Sequence, residues 1–273
     1  MVLTVEAEIK EIFFHLRGLI SSYNDMGLSL PPLSADVVCS LSPDKSKIVP
    51  LPVRHGPEVD KSKAVRPRTS HTPEVEDNAV RESRFISLES LREHIGDCRR
   101  CKLHTDRTHL VFGEGAPSAK LVFVGEGPGY DEDKAGTPFV GKSGKLLTKI
   151  IENGMGLTRK DVYICNVVKC HPPGNRDPER DEIETCIPFL REQLDIIGPE
   201  VICCLGRVAC QALLGKDFRI TAERGKWHSY RGVPLMPTFH PAYLLRNPSA
   251  KRQVWEDIKM IMKRIGLEVK KND

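Results

Sequence analysis

The sequence predicts a three-layer α/β/α fold, with helices on both faces of a central, largely parallel four-stranded sheet, and three features predict it. Short runs dominated by apolar residues recur at 121–124, 162–168, 201–205 and 234–239. Longer runs with helical spacing separate them. Glycine follows the first and third runs directly, at Gly125 and Gly206, where a strand must turn into the next segment. Alternation of this kind implies parallel strands joined by crossover helices. In such sheets a site sits at the carboxyl ends of the strands.

The elements follow in order. Residues 5–24 place Ile9, Ile12, Phe13, Leu16, Leu19 and Ile20 at helical spacing, and Asn24-Asp25-Met26-Gly27 should stop that helix. Residues 1–27 are therefore read as an amphipathic helical segment. Residues 31–73 hold 8 of the 20 prolines among many Ser, Lys, Asp and Glu, so 28–85 is read as a flexible, disordered linker. Order is expected over 86–268. A short helix at 88–95 leads into Cys98. The strand at 121–124 runs into a glycine-rich turn. A helix is expected over 144–153 and a strand over 162–168. Asp177-Pro178 has the chemistry of a helix start, with the helix running to Ile197. The strand at 201–205 is followed by a helix to Leu214. The strand at 234–239 and a helix over 248–265 complete the domain.

Composition bounds the function. Hydrophobic residues make up 40% and charged residues 29% of the 273, the balance of a soluble globular protein. No apolar run is long enough to span a bilayer, and the first residues lack the pattern of a secretory signal, so the expected location is cytoplasmic with no membrane partner. Net charge is +4. Residues 1–85 hold 11 Lys+Arg against 12 Asp+Glu, so the positive excess lies in the remainder, where nucleic-acid phosphate would be met. Nine cysteines without a secretory signal point to metal binding or chemistry more than to disulfides.

Gly125-Glu126-Gly127-Pro128-Gly129 follows a strand and suits close backbone approach to a ligand, though its spacing is not that of a dinucleotide fingerprint. Gly136-Thr137-Pro138-Phe139-Val140-Gly141-Lys142-Ser143 matches the letters of a phosphate-binding loop. The polar run from Tyr130 to Ala135 before it is no strand, so the match is read as accidental.

Those two stretches are followed in order by Asn166-Val167-Val168-Lys169-Cys170 and His240-Pro241-Ala242-Tyr243-Leu244-Leu245-Arg246. Together with the placement of four cysteines, they make residues 88–265 resemble the family 4 uracil-DNA glycosylases. The resemblance implies a uracil-DNA glycosylase catalytic domain over 86–268 that flips uracil from DNA and hydrolyses its N-glycosidic bond, acting as a monomer. Phe139 would stack on the flipped base. Asn166 would read it, because an amide offers a donor and an acceptor and uracil presents N3–H beside O4, the reverse of cytosine. His240 would donate to O2, where negative charge develops. Glu126 would orient the attacking water, or its backbone and that of Gly127 would bind the base. Gly127 stands where other uracil-DNA glycosylases carry an aspartate. Glu132 would line the C5 side and help exclude thymine. Leu244 or Leu245 would wedge into the duplex, and Arg246, with Lys251 and Arg252, would hold phosphate. His171 stands where the family more often has arginine.

The resemblance assigns Cys98, Cys101, Cys170 and Cys186 to a [4Fe-4S] cluster; spacing alone leaves a four-cysteine zinc site open. Cys39, Cys165, Cys203, Cys204 and Cys210 are expected to pack as small apolar residues. Two further readings stay open. One is a related glycosylase for hypoxanthine or xanthine; the other is a non-catalytic iron–sulfur module that binds DNA. The helix at 5–24 would either dock a partner protein or pack on the catalytic domain.

Overall fold

A computed structural model describes residues 83–269. The helix expected over 5–24, all but the last three residues of the expected linker, and Cys39 lie outside them. Order is already present at the first described residues. Ser83 Oγ and Arg84 Nε donate to the Glu192 carboxylate at 2.8 and 2.9 Å, so the folded domain begins before the expected boundary at 85/86.

Helix α1 (Leu88–Ile95) has the bounds its periodicity predicts, because Ser87 and Ser90 cap it reciprocally and Gly96 ends it. It buries Leu88, Leu91 and Ile95. The strands are β1 (Glu114–Gly115), β2 (Leu121–Gly125), β3 (Tyr163–Asn166), β4 (Val201–Leu205), β5 (His228–Tyr230) and β6 (Val233–Thr238). They form one six-stranded sheet in the order β1-β3-β2-β4-β6-β5. β3, β2, β4 and β6 are mutually parallel, which is the four-stranded core the sequence predicts. The edges correct that expectation. β1 adds to β3 and β5 adds to β6, both antiparallel. These edge strands of two and three residues are too short to show a period in the sequence.

The remaining helices are α2 (Tyr130–Ala135), α3 (Lys142–Lys149), α4 (Arg180–Ile197), α5 (Arg207–Leu214), α6 (Ile220–Glu223), α7 (Pro241–Arg246) and α8 (Lys251–Arg264). The helix expected over 144–153 starts at Lys142 and gives way to a π-helical turn, Ile150–Met155. The expected cap at Asp177 is two residues early: Glu179 caps α4, with its backbone N–H bonded to the Glu182 carboxylate at 2.7 Å.

Strand residues alternate between two cores. Val122, Val124, Ile202, Cys204 and Leu235 face one side with α1, α4 and α5. Leu121, Phe123, Cys203 and Met236 face the other with α3, α7 and α8. Each such Leu, Ile or Phe taken fully out of water contributes about 1.5–3 kcal/mol, so layers on both faces hold the sheet. Cys165, Cys203, Cys204 and Cys210 are buried among these residues, as small apolar packing requires. No helix among the described residues is long and apolar enough to cross a membrane.

The register aligns the ends of the parallel strands. Gly125 at the end of β2 lies opposite Asn166 at the end of β3, and Leu205 at the end of β4 lies opposite Thr238 at the end of β6. The chain therefore delivers Glu126, Asn166 and His240 to the same end of the sheet.

Candidate active site

At that end lies a cavity of about 400 Å³. Glu126, Gly127, Glu132, Phe139, Asn166, His240 and Arg246 line it, so the structure brings together residues that are far apart in sequence.

Gly125 makes the convergence sterically feasible. A β-carbon there would stand 2.4 Å from Asn166 Oδ1 and 2.5 Å from Phe139 Cζ, so any side chain would drive those two apart. At Gly127 a β-carbon would meet Val168 Cγ2 at 2.7 Å. An aspartate does not fit on this backbone, which explains glycine at that position.

Asn166 is 1% exposed and its Oδ1 has no hydrogen-bond partner among the described residues. A buried acceptor left unpaired costs about 1–3 kcal/mol, a penalty that a ligand donor relieves. Its backbone carbonyl is held by Lys169 Nζ at 2.8 Å.

Phe139 belongs to the core as well as to the cavity. It is 5% exposed and packs in the second core while also walling the cavity. Its φ is 55°, which a phenylalanine rarely adopts. Two side chains hold it there. Arg159 donates to Phe139 O at 3.1 Å and Pro138 O at 2.7 Å, and pairs with Glu114 at 3.0 Å. The Glu132 carboxylate accepts from Val140 N–H and Gly141 N–H, each at 2.8 Å, and from Gly129 N–H at 3.1 Å. Glu132 is thus a brace between the glycine-rich turn and the Phe139 loop. Arg159 is a functional residue that the sequence does not reveal; an isolated arginine before a strand carries no local signal.

His240 caps α7, with Nδ1 accepting from Ala242 N–H at 3.1 Å. Burial, reinforced by the Arg246 charge, pushes its pKa down to about 4. The imidazole is therefore neutral at pH 7. Since Nδ1 accepts, the proton sits on Nε2, and the ring is a donor there. Its centroid lies 5.5 Å from that of Phe139.

Burial of Glu126 pushes its carboxyl pKa up to about 7; the neighbouring Asp177 carboxylate adds to this and Arg207 opposes it. Asp177 also lines the cavity and pairs with Arg207. By sequence Asp177 reads only as a helix start. Its place in the polar run Gly174-Asn175-Arg176-Asp177 is the one signal of another role. His171 Nδ1 donates to Pro128 O at 2.9 Å, so this ring braces the glycine-rich turn.

Leu244 and Leu245 separate cleanly. Leu244 is 1% exposed and belongs to the core, which removes it as a wedge. Leu245 is 47% exposed on the same short helix, with Arg246 beside it at the cavity mouth. Lys251 and Arg252 are exposed. The stretch at Gly136–Ser143 follows helix α2 and no strand, so it is not a phosphate-binding loop.

Cys98, Cys101, Cys170 and Cys186 line a second, smaller cavity together with Lys169. Arg100 donates to Cys98 Sγ and Arg107 to Cys170 Sγ, each at 3.2 Å. Burial pushes the Cys186 thiol up to about 12. Among the described residues, no three His, Cys, Asp or Glu side chains are grouped to hold a single metal ion.

The profile of the uracil DNA glycosylase superfamily matches residues 112–259, the stretch that carries the sheet and the larger cavity. A type-4 uracil-DNA glycosylase of Sulfurisphaera tokodaii is 48% identical over 183 residues, 64% of this chain and 83% of that protein. One from Thermotoga maritima is 49% identical over 175 residues, covering 63% and 91% of the two chains. One from Saccharolobus solfataricus is 41% identical over 184 residues, covering 64% and 85%.

Proposed function

The chain belongs to the uracil DNA glycosylase superfamily, and we propose from that footing that it is a type-4 enzyme excising uracil from DNA by the residues of the larger cavity. It is an N-glycosylase acting in base excision repair, and DNA is its substrate. The unpaired Oδ1 of Asn166 is the observation that carries the reading of the base. Uracil N3–H is a donor to that atom, whereas N3 of neutral cytosine has no hydrogen, so cytosine would leave the acceptor unsatisfied.

The uracil enters only when flipped from the stack. Phe139 stacks on it, held at its unusual φ by Arg159 and Glu132. His240 donates from Nε2 to O2 as the glycosidic bond lengthens and charge moves onto the base. A neutral imidazole whose other nitrogen is occupied needs no reorganisation to do so, and one such donor is typically worth about 3 kcal/mol. Glu126, once ionised, orients water for attack at the sugar, and its charge beside Asp177 stabilises the cationic sugar. Leu245 fills the gap in the duplex, and Arg246 with Lys251 and Arg252 meets phosphate.

The cysteine cavity suits a [4Fe-4S] cluster. A single tetrahedral zinc requires sulfurs about 4 Å apart, whereas a cluster spreads four thiolates over its corners. Four cysteines around one cavity, with Arg100 and Arg107 donating to the sulfurs of Cys98 and Cys170, suit the four thiolates of a cluster, and the iron or zinc content of the purified chain decides between the two. Cys98, Cys101, Cys170 and Cys186 would hold it, and when bound it would tie the chain after α1 to the segment before and within α4. On this reading residues 1–27 are a recruitment element on a linker, outside catalysis, and the chain is a cytoplasmic monomer.

The test is incubation with single-stranded and duplex oligonucleotides carrying uracil, cytosine, thymine, hypoxanthine or xanthine, followed by cleavage at abasic sites. Cleavage at uracil in the presence of EDTA is expected. Release of hypoxanthine or xanthine in preference to uracil would overturn it.

A further inference from the structure

Lys169 is the side chain that neither cavity explains by itself. It is 1% exposed and among the largest fully buried residues. Its Nζ donates to the Asn166 backbone carbonyl at 2.8 Å and to Gln193 Oε1 at 2.5 Å. Both acceptors are neutral. Gln193 is itself fixed, because its Nε2 donates to Phe112 O at 2.9 Å and to the Tyr163 hydroxyl at 3.1 Å. Lys169 also lines the cysteine cavity, and its backbone N–H lies against the Cys186 thiol.

A buried ammonium with only neutral partners is costly, and negative charge nearby would offset that cost. The four thiolates of a loaded cysteine site supply it. Arg100 and Arg107 already donate to two of those sulfurs, and Lys169 adds a third, buried cation on the same cavity. The same ammonium grips the residue that reads the base.

We propose that Lys169 is a positioning residue that joins the cysteine site to Asn166, so that loading of that site fixes the backbone on which the base-reading amide is mounted. This rests on the uracil and cluster readings. Lys169 touches neither the base nor the sugar; it acts through Asn166.

The experiment compares the wild-type chain with Lys169→Met, Asn166→Ala and the double variant. Methionine keeps length and apolar volume without charge or donor, and replacing a buried charge by a well-packed apolar chain is often tolerated. Three readouts are taken: iron per chain with its rate of loss to a chelator, the cluster's reduction potential, and single-turnover excision alongside DNA affinity. Lys169→Met is expected to lose iron faster and to lower the potential, since a nearby positive charge favours the added electron. It is expected to slow excision about tenfold at nearly unchanged DNA affinity. In the Asn166→Ala background the same change should slow excision no further, because the amide that the backbone carries is already gone. Gln193→Leu removes the other anchor of the ammonium and should repeat that non-additivity if the methionine variant does not fold. Wild-type iron retention and rate in Lys169→Met, or effects that multiply in the double variant, would overturn the proposal alone. A wild-type chain that binds no iron would sink the cluster reading and this inference with it.

Discussion

At the residue scale, the cavity holds two groups whose ionisation the fold has moved in opposite directions. His240 is held to about 4 and Glu126 to about 7. His240 is therefore neutral throughout the range in which Glu126 titrates, and Glu126 alone should shape the acid side of the rate profile. Single-turnover excision is expected to rise about tenfold per pH unit below 7 and to level off above it, as for one ionisable base. Asp177→Asn removes the like charge and should move that limb to lower pH. Glu126→Gln should abolish the limb, and a limb that survives would show that another group titrates. The same shift has a stability cost with a definite sign. A carboxyl that binds its proton more tightly folded than unfolded weakens the native state as pH rises from about 4.5 to about 7. Glu126→Gln should therefore melt higher than wild type at pH 8 while excising more slowly. Replacing His240 with alanine should slow base release about a hundredfold or more while leaving DNA binding nearly intact. Equal losses in both would mean the ring only shapes the cavity.

At the element scale, the Phe139 loop depends on side chains that start elsewhere. Arg159, in the segment before β3, and Glu132, in α2, hold its backbone in a conformation the phenylalanine would not choose. Arg159→Ala is expected to leave the sheet intact but to raise the apparent dissociation constant for uracil-containing DNA, with a smaller fall in turnover. Unchanged affinity would show that Glu132 suffices. This is also where the sequence is least legible. Periodicity reveals the parallel core strands, α1 and the helical layers, because burial on one or both faces writes a repeat into the chain. The positions of Glu126, Asn166 and His240 after strands follow from the same pattern. Arg159, Asp177 and the bracing role of Glu132 cannot be read that way. Their partners are backbone groups or side chains brought near only by the fold, and such contacts leave no spacing in the chain. Leu244 and Leu245 are chemically identical neighbours, and only the direction α7 takes tells core from surface.

At the scale of the whole molecule, one sheet carries two cavities, with Lys169 between them. Base release by the proposed route needs no carboxylate cluster of the kind that gathers Mg²⁺, so excision should proceed in EDTA. The purified chain should carry about four irons. One zinc per chain, without visible absorption, would replace the cluster reading. Deleting residues 1–80 should leave excision of short oligonucleotides and the melting temperature close to those of the full chain. A large fall in either would place the first segment within the catalytic unit. The sheet's margins bear on a different property. Unpaired strand edges are templates on which copies of a protein can stack into fibrils, and here each margin of the parallel core ends in a very short antiparallel strand. At Gly115 a β-carbon would collide with Val162 O at 1.9 Å, so Gly115→Val should peel β1 away and bare the flank of β3. That variant should form thioflavin-positive aggregates on mild warming at concentrations where the parent stays clear. On that outcome the two-residue strand would serve colloidal stability, keeping a crowded solution of this protein from seeding its own polymer.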